Sequence, residues 1–135
     1  MWQIKCYVGP GGKNEIQRFY DSGNDDLKAE LEVELTYLSV RDRVLWQRPH
    51  AAKLTKCNEF RDFFEIRLFA NRVQHRPIGF FGPGQNDFTI LLWAVEKGGE
   101  LNPEGWCKKA NRRREQLIDG EATAKPLKFE GDTDA

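Results

Sequence analysis

Phe63-Phe64-Glu65-Ile66-Arg67-Leu68-Phe69 is followed by His75-Arg76-Pro77, the turn residues Gly82-Pro83-Gly84, and the apolar run Phe88-Thr89-Ile90-Leu91-Leu92-Trp93-Ala94-Val95. Alternation in the first stretch puts Phe64, Ile66 and Leu68 on one side of a strand and Phe63, Glu65, Arg67 and Phe69 on the other. Strands are expected over residues 63–70, 73–81 and 88–95, with a hairpin loop at 82–87 joining the last two. Arg67, Arg76 and Lys97 ride on these three strands. On one sheet surface they would gather the fixed positive charge that binding a phosphodiester or an acidic partner requires.

Outward from this core, Trp2, Ile4, Cys6 and Val8 alternate with polar residues, so a strand is expected there, ended by Gly9-Pro10-Gly11-Gly12. Ile16, Phe19 and Tyr20 have helical spacing within 14–21. Asn24 or Asp25 can cap a second helix, with Leu27, Leu31, Leu35 and Leu38 on one face. The two make a helical hairpin. Residues 41–62, with Pro49 and many charges, read as a connecting segment containing a helical turn near 44–47. Asn102 and Pro103 have the chemistry of a cap and a first helical residue, opening a last helix. Its Trp106, Cys107, Ala110, Leu117 and Ile118 would pack inward and its Lys108, Lys109, Arg112, Arg113 and Arg114 outward. Beyond Asp119 the apolar spacing fades, and residues 119–135 are expected to be a flexible acidic tail in which Leu127 and Phe129 could still dock.

A chain of 135 residues suffices for one domain with a real core. No apolar run approaches the roughly 20 residues of a membrane helix, and the first residues lack the apolar segment of a signal peptide, so a cytoplasmic protein without membrane association is expected. Cys6, Cys57 and Cys107 are odd in number and far apart, matching neither a disulfide framework nor a zinc motif; reduced thiols are expected. The net charge of zero conceals an uneven distribution. Residues 1–40 hold 4 Lys/Arg against 7 Asp/Glu, residues 41–118 hold 15 against 9, and residues 119–135 hold 2 against 5. The cations therefore concentrate in the second half, as an acidic ligand would favour.

Cleaving RNA within a phosphodiester needs a proton acceptor at the 2′-hydroxyl, cations for the charge that builds on phosphate, and a proton for the leaving 5′-oxygen. Arginine suits the second task because its planar fork matches phosphate oxygens and stays charged. Arg67, Arg76 and Lys97 are the candidate catalytic cations. The other reading of the same residues is a set of surface cations facing solvent or paired with Glu65 and Glu96. His75 is the better placed histidine for acid–base work, ahead of His50. Neighbours on a strand point to opposite faces, so it joins Arg76 only if the strand bulges, which Pro77 would permit. Lys108, Lys109, Arg112 and Arg113 are the candidate RNA-binding residues. Trp93, Phe80, Phe63 or Trp106 could stack on an unpaired base, with a place in the core as the competing role. No metal-ligand or nucleophile motif competes, so a mechanism without metal or cofactor is expected.

Glu65-Ile66-Arg67, Arg76, Leu91-Leu92-Trp93-Ala94-Val95-Glu96-Lys97, Pro103 and Ala110, in this order and spacing, resemble the RelE/HigB toxin superfamily, in particular its phage-derived HigB-like branch. Members of that branch read E-L-R, Y-R-V, L-L-H-G-F-x-K-K and T-P at the matching places. The resemblance covers residues 54–113 and, in outline, the helical hairpin before them. It implies an α+β, RelE-like domain over residues 1–118: a helical hairpin on a four-stranded, mostly antiparallel sheet, with a C-terminal helix. It further implies a type II toxin, an endoribonuclease that cuts mRNA on the ribosome and is silenced by a protein antitoxin. By the same likeness Arg67 would bind phosphate, Arg76 would stabilise transition-state charge, and Lys97 would touch phosphate or ribosomal RNA. A non-enzymatic binding protein of the same fold, directed at gyrase or at a phage-related partner, is the alternative. Trp93-Ala94-Val95 stand where the branch has His-Gly-Phe, Gly98 where it has a second lysine, and His75 where it has tyrosine.

Overall fold

The computed structural model describes residues 1–57 and 60–130. Gln3–Val8 is the first strand, β1, and its alternation sends Cys6 into one hydrophobic core and Tyr7 into another. Two capped helices follow. Asn14 accepts from the Gln17 backbone N–H at 3.0 Å to start α1 (Glu15–Asp21), and Asn24 accepts from that of Leu27 at 3.1 Å to start α2 (Asp25–Ser39). Each cap satisfies a donor that the first helical turn leaves without an internal partner. Leu27, Leu31, Leu35 and Leu38 are all buried, each worth about 1.5–3 kcal/mol over exposure.

The rest of the chain supplies a 3-10 turn (Arg43–Leu45), β2 (Ala51–Lys53), β3 (Phe64–Ile66), β4 (Leu68–Ala70), β5 (Val73–Phe81), β6 (Asp87–Lys97), β7 (Glu100–Asn102), α3 (Trp106–Ile118) and β8 (Thr123–Pro126). The strands form one sheet in the order β2-β3-β5-β6-β1-β8, with β4 continuing along β5 beyond β3 and β7 added to β6. Among the described pairings only β1 with β6 is parallel. The hairpin α1–α2 covers one face over Phe64, Ile66, Leu68, Phe88 and Ile90, while α3 covers the other over Phe63, Ile78, Phe80, Leu91 and Leu92. Among the described residues, no helix is long and apolar enough to cross a membrane.

The α+β architecture agrees with expectation, but the four-stranded sheet is corrected to one of eight strand segments. The additional strands, β2, β7 and β8, are only three or four residues long, too short to show a period in sequence. The strand expected over 63–70 is interrupted at Arg67, whose backbone N–H donates to His50 O at 2.9 Å, in register with the β2–β3 pairing. Asn102 does not cap the last helix. It is held in the ladder opposite Val95, and the helix starts three residues beyond Pro103, after Gly105 at φ 75°.

The tail expected from residue 119 is ordered sheet in part. Thr123–Pro126 pairs antiparallel with β1, Leu127 is buried, and its N–H donates to Ile4 O at 3.1 Å. An edge strand needs little apolar sequence: Ala122 and Ala124 pack on the second core while Thr123 and Lys125 stay exposed. Residues 131–135 lie outside the described residues. The reduced-thiol expectation is corrected as well, because Cys57 and Cys107 form a disulfide with their Cα atoms 5.7 Å apart. The loop before β3 and the first turn of α3 lie on the same side of the sheet, which brings together cysteines 50 residues apart. Cys6 is a free, buried thiol, pushed up to about 12 by burial and by the charge of Asp21.

Candidate functional site

Cross-strand register decides which side chains meet. Glu65 of β3 lies opposite Ile78, and on β5 Arg76 and Gln74 lie opposite Ala94 and Glu96 of β6. Residues directly opposite one another share a face, as do residues two apart, so Glu65, Arg67, Gln74, Arg76 and Glu96 all project on the α3 side. There they form a compact charged cluster. Glu65 Oε2 is 2.6 Å from Arg67 Nη1 and 3.1 Å from Arg76 Nε, while Glu96 Oε1 is 3.5 Å from the same Nε.

The two arginines differ in setting. Arg76 is held from behind: its Nη1 donates to His75 O at 2.8 Å and to Leu68 O at 3.5 Å, and its Nη2 donates to Gln74 Oε1 at 3.0 Å. Its side chain is only 3% exposed, and its buried Nε, although close to both carboxylates, is aligned with no hydrogen-bond acceptor among the described residues. Burial, then the charge of Arg67, press the guanidinium below its ordinary pKa, against the opposing pull of Glu96 and Glu65. Arg67 is less enclosed, at 18% side-chain exposure, and reaches the edge of a cavity of about 440 Å³.

This cavity lies between β2, β3, the β6–β7 turn and the start of α3. Arg48, Lys53, Lys56 and Arg67 bring positive charge to it, and Glu65, Glu96, Glu100 and Glu104 bring negative charge. A phosphate entering here would compete with Glu65 for Arg67, since guanidinium pairs with either oxyanion. Arg48 and Arg67 also border a second, shallower groove of about 340 Å³ with Phe69, Gln74 and Arg76.

Of the four expected catalytic residues the structure unites two, Arg67 and Arg76. Lys97 is exposed at the end of β6 and borders neither groove. Strand parity is the reason: Glu96, not its neighbour Lys97, projects beside Arg76. His75 is also separated, being buried on the α1–α2 side, where its ring meets Phe19 edge-on at 6.1 Å and its Nδ1 accepts from Trp93 Nε1 at 3.0 Å. The β5–β6 bulge that could have turned it falls at Ile78/Gly79, beyond Arg76. Burial holds the His75 imidazole below its usual pKa, helped by the Arg76 charge and opposed by a bond to the Ala70 backbone.

The basic helix α3 is divided. Lys108 and Arg112 are exposed, but Arg113 is 7% exposed, donating to Leu91 O at 2.8 Å and to Glu15 Oε2 at 3.0 Å. Half-buried Lys109 acts on the same glutamate. Burial raises the pKa of Glu15, but Arg113, Lys109 and Lys13 outweigh it and the net shift is downward. Arg113 is therefore a structural cation, not a free RNA contact. In sequence Glu65 and Glu96 are offered only as ion-pair partners of the cations, not as site residues, and Arg48, Lys53 and Lys56 on the rim are missed. The strand alternation that places Arg67 could have found Glu65. Among the described residues no group of three or more His, Cys, Asp or Glu is placed to hold a metal ion. No protein-family model matches the chain, and neither does any curated protein or solved structure.

Proposed function

We propose that this chain is a toxin-type endoribonuclease of the cytoplasm that cleaves translated mRNA and is silenced by a protein antitoxin. The observation that supports it is the convergence of Arg67 and Arg76 on the single carboxylate of Glu65 beside an open cavity. In this reading the scissile phosphate draws Arg67 away from Glu65. The Glu65 carboxylate, released by Arg67 but still 3.1 Å from Arg76 Nε, takes the 2′-hydroxyl proton as the 2′-oxygen attacks phosphorus. Arg76, fixed by its backbone bonds, faces the charge that develops on the phosphate, and a donor that is already oriented loses little on reaction. The leaving 5′-oxygen is protonated by solvent, since His75 lies on the other face and His50 is bound to Glu34 at 2.5 Å. Lys97, Lys108 and Arg112, all exposed, are left to contact the phosphates of ribosomal RNA.

A second reading, a binding protein without catalysis, is favoured by the three internal acceptors that already occupy the Arg76 guanidinium. The two are separated by following a defined mRNA in a translating extract. Wild-type protein should cut it, and Glu65→Gln and Arg67→Ala should each slow cutting by about 100-fold or more, a typical loss for a general base or an oxyanion donor. An intact message alongside a stably bound protein partner would select the binding reading.

A further inference from the structure

Phe69 is the side chain that the proposed chemistry leaves unused. It follows Arg67 by two residues on the same face of the sheet and is 55% exposed. The rings that composition offered for stacking on a base are engaged elsewhere. Phe63 and Phe80 are buried, Trp93 stacks on Phe19 at 4.4 Å, and Trp106 packs against the second core. A single exposed apolar side chain is ordinary. The surroundings of this one are not, because it borders the shallow groove whose other walls include Arg48, Arg67, Gln74 and Arg76.

The ring is also firmly mounted. Leu68 and Ala70 on either side of it are buried in the core beneath α2. The two-residue turn after β4, Asn71 and Arg72, has both residues at positive φ, 55° and 64°, as tight hairpins require. Asn71 Nδ2 donates to Asn24 Oδ1 at 2.8 Å, tying the turn to the cap of α2. An aromatic face fixed beside guanidinium groups matches a planar base linked to phosphates more closely than it matches an apolar protein surface, whose docking would strand those cations.

We infer that Phe69 is the stacking platform for one unpaired base of a single-stranded RNA, with Arg48 and Arg67 on the phosphates flanking it. This rests on the ribonuclease reading and adds strandedness to it: a duplex keeps its base faces covered and does not bind here. Phe69 also sets which nucleotide lies at Glu65, on the same sheet face and two residues from Arg67.

The test is fluorescence anisotropy with a labelled 2′-O-methyl RNA octamer, which cannot be cut, and with the same octamer made abasic at one position at a time. Phe69→Ala should weaken binding by between about 5-fold and about 100-fold, Phe69→Leu similarly, and Phe69→Trp by no more than about 2-fold. One abasic position should weaken the wild type by the same factor and add nothing in Phe69→Ala. Thermal midpoints should be unchanged, since the ring is more than half exposed. Equal binding by wild type and Phe69→Ala, or equal binding of a duplex, overturns the platform. So does Phe69→Leu behaving like Phe69→Trp, or loss of a protein partner with RNA binding intact. Wild-type protein that does not bind the octamer overturns it too. The nuclease reading is judged separately, by cutting in the translating extract.

Discussion

At Glu65 one buried carboxylate meets two guanidinium groups, and at His75, ten residues on, an imidazole is enclosed by Phe19 and Trp93 on the far side of the sheet. His75 makes folding sensitive to pH. Its folded pKa lies below the ordinary value of about 6.5. Between those two values the unfolded chain binds a proton that the folded chain refuses, so stability rises with pH. The contribution is whole above about pH 6.5 and is lost as pH falls through that window, at no more than about 1.4 kcal/mol per unit. Denaturant titrations at about pH 7.5 and about pH 5.5 should therefore show a larger loss for wild type than for His75→Phe, which keeps a ring against Phe19 but cannot protonate. Equal losses would assign the pH dependence to other groups. The placing of Arg67 and Arg76 was legible because strand alternation carries it. The placing of Lys97 was not, because the difference between facing the cluster and facing away is one residue of register on β6.

At the scale of elements, β5 and β6 are joined by a bulge at Ile78/Gly79 that leaves no room for a side chain. A Cβ on Gly79 would lie 2.3 Å from Thr89 O and 2.8 Å from two ring atoms of Phe88. Thr89 O is backbone and cannot swing aside, so Gly79→Ala should cost about 3 kcal/mol or more, read as a fall in the urea midpoint. A variant as stable as wild type would show that the two strands separate more easily than their packing implies. The helical hairpin and the long central strands were legible from caps and periodicity. The short edge strands were not, since β2 and β8 take their order from the partners they pair with and not from any pattern of their own.

For the molecule as a whole, α3 is fastened to the loop before β3 by the Cys57–Cys107 disulfide, on the rim of the larger cavity. Closing a loop of 50 residues removes unfolded-state entropy worth about 4 kcal/mol in the chain-entropy model. Stability should therefore fall by about 2–4 kcal/mol in the presence of a dithiol reductant, and Cys57→Ser should lose the same amount and become indifferent to the reductant. An unchanged unfolding midpoint would show that packing alone holds α3 in place. In a reducing cytoplasm the pair would be two thiols, leaving α3 to its contacts with Ile78, Leu91 and Leu92. No signal in the sequence pairs these cysteines, because their proximity exists only once α3 has crossed the sheet.

The most direct measurement of the central proposal is end-group analysis of an mRNA incubated with the protein in a translating extract. In-line attack by the 2′-oxygen, with Glu65 as base, gives a 2′,3′-cyclic phosphate upstream and a 5′-hydroxyl downstream. Those ends should appear with wild-type protein, be lost with Glu65→Gln, and be absent at a site carrying a single 2′-deoxynucleotide. An uncut message, products with 5′-phosphates, or undiminished cutting by Glu65→Gln would contradict it.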